Sequence, residues 1–498
     1  MATLILEGVL KDYSGSPQTA EATIKSRPLF HGCFFPLSTY SGEFGFDWMR
    51  DRNAYPGSKI HYAGISEDFS LLEAEYDVLD IPVENQEAKY YVPWLNMFPD
   101  NKSVTGKDVE LFFRVNPCNG DGVYDFEDDD YVEFVSPGGN LKVTPDKVSG
   151  LDLYNGKSVK INCLKPLTAN DYIEAVYRSK NLTTEGEVVG KINVLKNDIT
   201  YFINIYVVKN YISDANETPE TINSKIRSIG EINGIEDYLN KHSLNQALIQ
   251  VKLYTQYDKK DLNWPIRLST LQAASNGKNS NPTTDDVNKD YIFQQFFKGL
   301  LDSNNKVNQS KFLNYINFRF GNMFPAIGET QKCILLYLTS LDSISAGGTS
   351  SIFPTNNKHC IVYNPNLGHK ATYAHEIGHI LGLLHTFTIV DRDGKTVSHE
   401  DERKILLSSF QKKYGLYKSI EVNNLLDVTH RRFVEKYIKG LKRSKESDCN
   451  TVYDNNKIRF KKGLTDNVMD YSRKLLFFSK SQWKVMQTEV ELYYGIKK

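Results

Sequence analysis

No charge of one sign dominates this chain: 60 Lys+Arg stand against 61 Asp+Glu, a formal net charge of −1. A chain this close to neutral has no electrostatic footprint for nucleic acid or an anionic membrane. Long hydrophobic runs are missing as well. No stretch approaches the ~20 apolar residues that a membrane span needs. The opening "MATLILEGVLKDYSGSPQ" lacks a basic start and a long apolar segment, so it does not read as a signal peptide. Cysteine is sparse, with six in 498 residues and no C-x-x-C. That usage reads as reduced, buried thiols; a bridge between Cys333 and Cys360, each in a strand-like run, stays open. There is no solenoid-type repeat and no low-complexity tract.

What is present divides into regions, and the length argues for roughly two to four domains. Residues 1–105 mix short apolar runs with aromatics and glycines, as in "FHGCFFPLSTYSGEFGFDWMRD". They read as a β-rich accessory domain with a helix near 71–79. Residues 106–212 read as all-β. "VELFFRV", "DYVEFV", "SVKINCL", "YIEAVY", "GKINVL" and "YFINIYVV" are β-branched or aromatic runs separated by turn residues. That spacing predicts a small sandwich, Ig-like in type. The acidic "DFEDDDY" fits no fixed ligand pattern and reads as a solvated turn rather than a calcium loop. Polar "SDANETPET" predicts a domain boundary at 212/213. Beyond it, helical patterns ("INSKIRSIGEINGIEDYL", "VNKDYIFQQFFKGLLDS") alternate with strands ("ALIQVKLY", "KCILLYLTS", "HCIVY"). Residues 213–498 thus predict an α/β (α+β) domain that carries the chemistry. Residues 1–212 hold no His, Asp, Glu or Cys constellation at ligand spacing, and read as accessory.

The chemistry concentrates in "AHEIGHILGLLHTF", residues 374–387. His375 and His379 are four apart, which places both imidazoles on one face of a helix. Both can bind one zinc ion through ring nitrogens. Glu376, beside the first ligand, can reach a water on that metal without ligating it. His385 lies about 240° round from His379 on an ideal helix, so it shares the face only if the helix stops. Gly382 supplies that stop in a left-handed conformation, which would bring His385 back to the metal. Three neutral imidazoles then leave a fourth position open to water. Ile377, Ile380, Leu381, Leu383 and Leu384 form the packing side. A lone H-E-x-x-H is weak evidence, but Gly382 and His385 complete the longer H-E-x-x-H-x-x-G-x-x-H form.

Downstream, "TDNVMDYS" (465–472) offers a methionine in a turn. Together the two motifs resemble the metzincin metalloproteases, and the wording "HEIGH", "GLLHTF", "NVMDYS" and "FFSKSQWKVM" is closest to the pappalysin-like family. The resemblance covers about residues 330–390 and 464–487. It implies zinc ligands at His375, His379 and His385, a general base at Glu376, a Met-turn at Met469, and a tyrosine near the metal at Tyr471. It implies an endopeptidase acting on a protein or peptide substrate. An edge strand above the helix would pair with extended substrate, and "HCIVY" stands in place to do so.

Eighty-four positions separate His385 from Met469. This insertion, about 388–463, is basic, with helical-looking "HEDERKILLSSFQKKYG" and "NNLLDVTHRRFVEKYIKGLKR"; it could cap the cleft, bind a partner or decorate the surface. His399 and His430 within it read as exposed, and "DRDGK" is too short to argue for calcium. Two rival readings remain: a catalytically silent zinc-containing scaffold that binds through its β-domains, and a metal-dependent hydrolase of a non-peptide amide or ester. The N-terminal region bears a faint resemblance to bacterial type VI secretion cargo, which implies delivery outside the producing cell and a secretion-machinery partner. A secreted protease without its leader and an intracellular protease stay open beside it.

Overall fold

The computed structural model describes residues 30–50, 60–81, 88–100, 109–117, 126, 129–179, 186–214, 216–230, 233–276, 297–323, 327, 332–350, 358–387, 397–398, 400–405, 407–408, 446–472 and 475–497. The chain forms two compact units. One is Met1–Ile65 with Phe69–Asp198; the other is Ser66–Asp68 with Ile199–Lys498.

The first unit is a two-sheet sandwich. Phe30–Pro36, Val109–Pro117, Lys157–Cys163 and Leu141–Thr144 form an antiparallel four-stranded sheet in that order. Gly45–Asp47, Trp94–Asn96, Glu187–Val194, Asp171–Arg178, Tyr131–Val135 and Lys147–Ser149 form the second sheet. Alternate residues of Tyr131–Val135, Leu141–Thr144 and Lys147–Ser149 are buried, as period-two patterning requires of strands with one face on a core. Phe34, Phe113, Val159 and Ile161 of one sheet and Leu95, Phe134, Ile173 and Ile192 of the other share one apolar core. Phe113 and Phe134 meet edge to face there, with ring centroids 4.9 Å apart.

The sandwich matches the expected architecture, but the division at 105/106 does not hold. Phe30–Pro36 pairs with Val109–Pro117, and Trp94–Asn96 pairs with Glu187–Val194. Phe30, Phe34, Phe46, Leu95 and Met97 therefore share one core with residues 109–194. The acidic run also differs from a purely solvated turn: Asp130 is buried and accepts the Tyr177 hydroxyl at 2.7 Å.

The second unit is built on a mainly parallel sheet whose central strand is Tyr201–Ser213. Its first half pairs with Ile249–Tyr254 on one side and Gly495–Lys497 on the other. Its second half pairs with Asn263–Arg267 and with Cys333–Thr339. His359–Val362 follows in parallel, and Gly348–Ser350 closes the described sheet as an antiparallel edge. Every residue of Cys333–Thr339 is buried, the mark of a strand covered on both faces.

The expected boundary at 212/213 accordingly moves to 198/199. "YFINIYVV" is a good strand in either neighbour, and only its pairing assigns it to the second unit. A chain starting at residue 214 would lack the centre of this sheet. The single helical run after the boundary is two helices, Pro219–Ser228 and Asn233–His242, parted after Gly230 at φ 97°. Cys333 and Cys360 are buried and free, so the bridge left open between them is not formed. Most of "VNKDYIFQQFFKGLLDS", "DRDGK", His399, His430 and residues 409–445 lie outside the described residues. Among the described residues, no helix is long and apolar enough to cross a membrane.

Candidate metal centre

The helix Lys370–Ile380 packs on the strands His359–Val362 and Gly348–Ser350. Residues 373–378 are buried along it. It stops where the sequence places the stop. Gly382 sits at φ 83°, a left-handed position that glycine fills without a Cβ clash. Gly382 N–H donates to His379 O at 3.1 Å and Leu383 N–H donates to Gly378 O at 3.0 Å. This is a Schellman C-cap, and it reverses the chain toward the helix face.

The reversal brings His385 to the other two imidazoles. Its Nε2 lies 3.2 Å from Nε2 of His375 and 3.2 Å from Nε2 of His379. The two helix histidines have assigned tautomers. His375 Nδ1–H donates to Val468 O at 2.8 Å, and His379 Nδ1–H donates to Leu383 O at 2.7 Å. Their Nε2 atoms therefore carry lone pairs, and all three rings aim nitrogen at one point. The lone pairs of His375 and His379 face the Nε2 of His385, and a cation placed among the three nitrogens would be shared by all of them. The three residues can hold a metal ion.

Burial holds these rings neutral. Desolvation pulls His375 below its ordinary value, His379 well below, and His385 down to about 3. Their mutual proximity adds to the effect at His379 and His385.

Glu376 is 6% exposed. Burial pushes its carboxyl up to about 8, against a hydrogen bond from Ser350 Oγ to Oε2 at 2.8 Å that favours the charged form. Ser350 and Gly348 belong to the sheet's edge strand, which presses on this carboxyl. A Cβ at Gly348 would fall 2.5 Å from Glu376 Oε1. The expected pairing strand, His359–Val362, is flanked on both sides. Gly348–Ser350 takes its place as the described edge.

The turn carrying Met469 packs against the same helix. A Cβ at Gly378 would meet Met469 Sδ at 2.7 Å, so glycine there lets the thioether lie against the backbone between the ligands. Two buried polar side chains shape this turn. Asn467 Oδ1 accepts from Met469 N–H at 2.9 Å, and its amide donates to Gln482. The Asp470 carboxylate accepts from the N–H groups of Gly463, Thr465 and Tyr471 and from the Thr465 hydroxyl, all within 2.9 Å. The turn thereby sets Val468 O, which orients His375.

Tyr471 stands at the rim. The residue is 56% exposed, yet its hydroxyl lies 3.0 Å from His385 Nε2. Burial around that hydroxyl, and then the Glu376 charge, raise its pKa.

Sequence reasoning singled out His375, Glu376, His379, His385, Met469 and Tyr471, and the structure brings them together. It missed Gly348 and Ser350, which carry no motif. It also missed Asp470, although that residue stands inside the quoted "NVMDYS".

The burial of Glu376 has a measurable consequence in the metal-free chain. Folded, the carboxyl keeps its proton to about pH 8; unfolded, it loses it near 4.5. Its contribution to stability therefore falls as pH rises between those values. The imidazoles act in the opposite sense: unfolded they take protons below about 6.5, so their contribution is lost as pH falls below that value. From pH 6.5 to 8 the Glu376 slope stands apart from theirs. Metal-free Glu376→Gln should gain about 1–2 kcal/mol over the parent chain across this window, read as the difference between their denaturation curves. A constant difference would contradict the buried carboxyl.

No family model matches the chain, and no curated protein matches it. Among solved structures, a chain from the structure of a chaperone–substrate complex is similar over 58% of this chain, at 12% identity and a TM-score of 0.18. The match spans 40% of that neighbour's length. A likeness at this score carries no argument about fold or activity.

Proposed function

We propose that this chain is a zinc-dependent endopeptidase of the metzincin type, hydrolysing peptide bonds in extended segments of protein substrates. One observation carries the reading: three Nε2 atoms converge beside a buried carboxyl on the same helix. The donor set fits zinc. A tetrahedral ion bound by nitrogens at its usual distance holds them ~3.3 Å apart, and His385 stands 3.2 Å from each partner. Three imidazoles leave one position open, as catalytic sites do and closed structural sites do not.

A zinc ion held by His375, His379 and His385 would supply Lewis acidity toward a carbonyl oxygen and a water of lowered pKa. The protein supplies the rest. Glu376 accepts the proton of the attacking water and returns it to the leaving amine. A carboxyl raised by burial is poised for this, since the nearby dication draws it back toward neutral pH. The Ser350 hydroxyl holds one carboxylate oxygen and leaves the other for the proton. The edge strand Gly348–Ser350 offers backbone groups to an extended substrate, which places the peptide beside Glu376. The Tyr471 hydroxyl lies within hydrogen-bond distance of His385 Nε2. With His385 holding a zinc ion, that hydroxyl would be placed to donate to oxyanion character on the carbonyl. A silent zinc scaffold would have no use for an ionisable group buried at this position.

The test is digestion of an unfolded protein by the zinc-loaded chain, with mass spectrometry of the new ends. Cleavage should stop with a chelator and return with zinc. Bound zinc without any cleavage would favour the binding scaffold. Gly348→Ala gives a finer check. Its methyl would collide with Glu376, and misplacing a base by about 1 Å costs about 10²-fold in rate. Zinc content should stay unchanged; an undiminished kcat would show that the edge strand does not set the carboxyl.

A further inference from the structure

The three ligand rings are not held alike. His375 and His379 each donate Nδ1–H to a backbone carbonyl. Among the described residues, no group accepts from Nδ1 of His385. Its ring stacks on Phe387, with centroids 4.8 Å apart and planes 12° from parallel. Its backbone is held instead, by the segment on which the long insertion returns.

That return arm runs beside the ligand loop. Asn456, just after the helix Glu446–Asn455, grips the Schellman turn twice. Its Nδ2 donates to Gly382 O and its Oδ1 accepts from Leu384 N–H, both at 3.0 Å. Phe460 N–H donates to Thr386 O at 2.7 Å. Between these contacts, Arg459 Nη1 donates to the carbonyl of His385 itself. Arg459 is 3% exposed, and its Nη2 lies 3.9 Å from Oε2 of the buried Glu402. Among the described residues, its Nε and Nη2 find no hydrogen-bond partner. On its far side, Arg459 O accepts from Glu67 N–H at 3.0 Å, and Phe460 bridges to Ser66.

A buried ion pair with most donors unused is a poor way to stabilise a fold, because desolvation offsets the attraction. A guanidinium near a cation site is also repulsive, which the Glu402 carboxylate offsets. This pair nevertheless lies where it holds the carbonyl of the one ligand whose ring has no such anchor. We infer that the return arm, through Arg459 and Asn456, positions His385, so that this end of the span between His385 and Met469 supports the metal centre rather than decorating the surface. The inference rests on the metal-site reading above. Arg459 and Asn456 are positioning residues: they touch the ligand loop, not the substrate.

The experiment uses the full chain loaded with cobalt(II), whose visible absorption reports coordination geometry, and zinc titrated against a chelating dye. The double variant Arg459→Met/Glu402→Met removes the buried pair together and keeps volume, so the fold should persist. Its circular dichroism should match the parent. Its metal affinity should fall about 10- to 100-fold, as for other groups that orient ligands, with an altered cobalt spectrum. Asn456→Ala, at a less buried position, should act in the same direction and decides the matter if the double variant does not fold. Parental affinity and spectrum in a folded variant would overturn the inference. If the parent chain itself takes up neither cobalt nor zinc, the metal-site reading fails, and this inference with it.

Discussion

Replacing Glu376 with Gln should abolish turnover while leaving the metal in place. The amide has the same shape but cannot accept the proton of the attacking water, and loss of a general base costs about 10²- to 10⁴-fold. It can still accept the Ser350 hydroxyl through its oxygen, so the packing against Gly348 survives. Nor is Glu376 among the groups converging on the metal position, so the ligand set is intact. The loss should fall on kcat and kcat/KM together, since proton transfer occurs only in the transition state. Single-turnover rates on an unfolded protein substrate, with zinc content measured on the same preparation, would decide this. Near-parental turnover in a zinc-loaded variant would mean another base or another reaction.

The second large effect is expected for His379→Ala. The Nε2 of His379 faces His385 while its Nδ1 is committed to Leu383 O. Removing it leaves two imidazoles and a void against the apolar side of the helix. Zinc should drop from one per chain to a trace after dialysis, and peptidase activity should reach background. A stability readout separates this from simple unfolding. A ligand that binds only the folded state at a thousandfold excess over its Kd stabilises by about 4 kcal/mol. The parent chain should gain thermal stability on adding zinc, and His379→Ala should gain none while keeping its circular dichroism. One zinc per chain in the variant would overturn the ligand set.

These two results probe what was legible from residue order. The ligand spacing is a property of helix periodicity, and His375 and His379 fall on one face whatever surrounds them. Gly382 is equally local: a left-handed C-cap is a single-residue event, and the expected reversal is seen at φ 83°. The succession of short β-branched and aromatic runs between turn residues likewise foretold a sandwich, because strand propensity and turn chemistry are local.

Partnership is a different kind of information. "YFINIYVV" is apolar enough to lie in either unit, and only its pairing with Ile249–Tyr254 and Cys333–Thr339 makes Tyr201–Ser213 the centre of the second sheet. The same limit misassigned the edge strand. His359–Val362 precedes the helix Lys370–Ile380 in sequence, but Gly348–Ser350 lies outside it in the sheet. Arg459 stands 74 residues after His385 and reads as one more charge in a basic insertion. Residue order alone determined which groups can share one helix face and where that helix ends, because those follow from backbone geometry within a few residues. The tertiary structure alone decided the depth at which Glu376 is buried, the strand that presses on it and the arm that holds His385, because each depends on contacts between segments tens of residues apart, for which the chain carries no periodic signal.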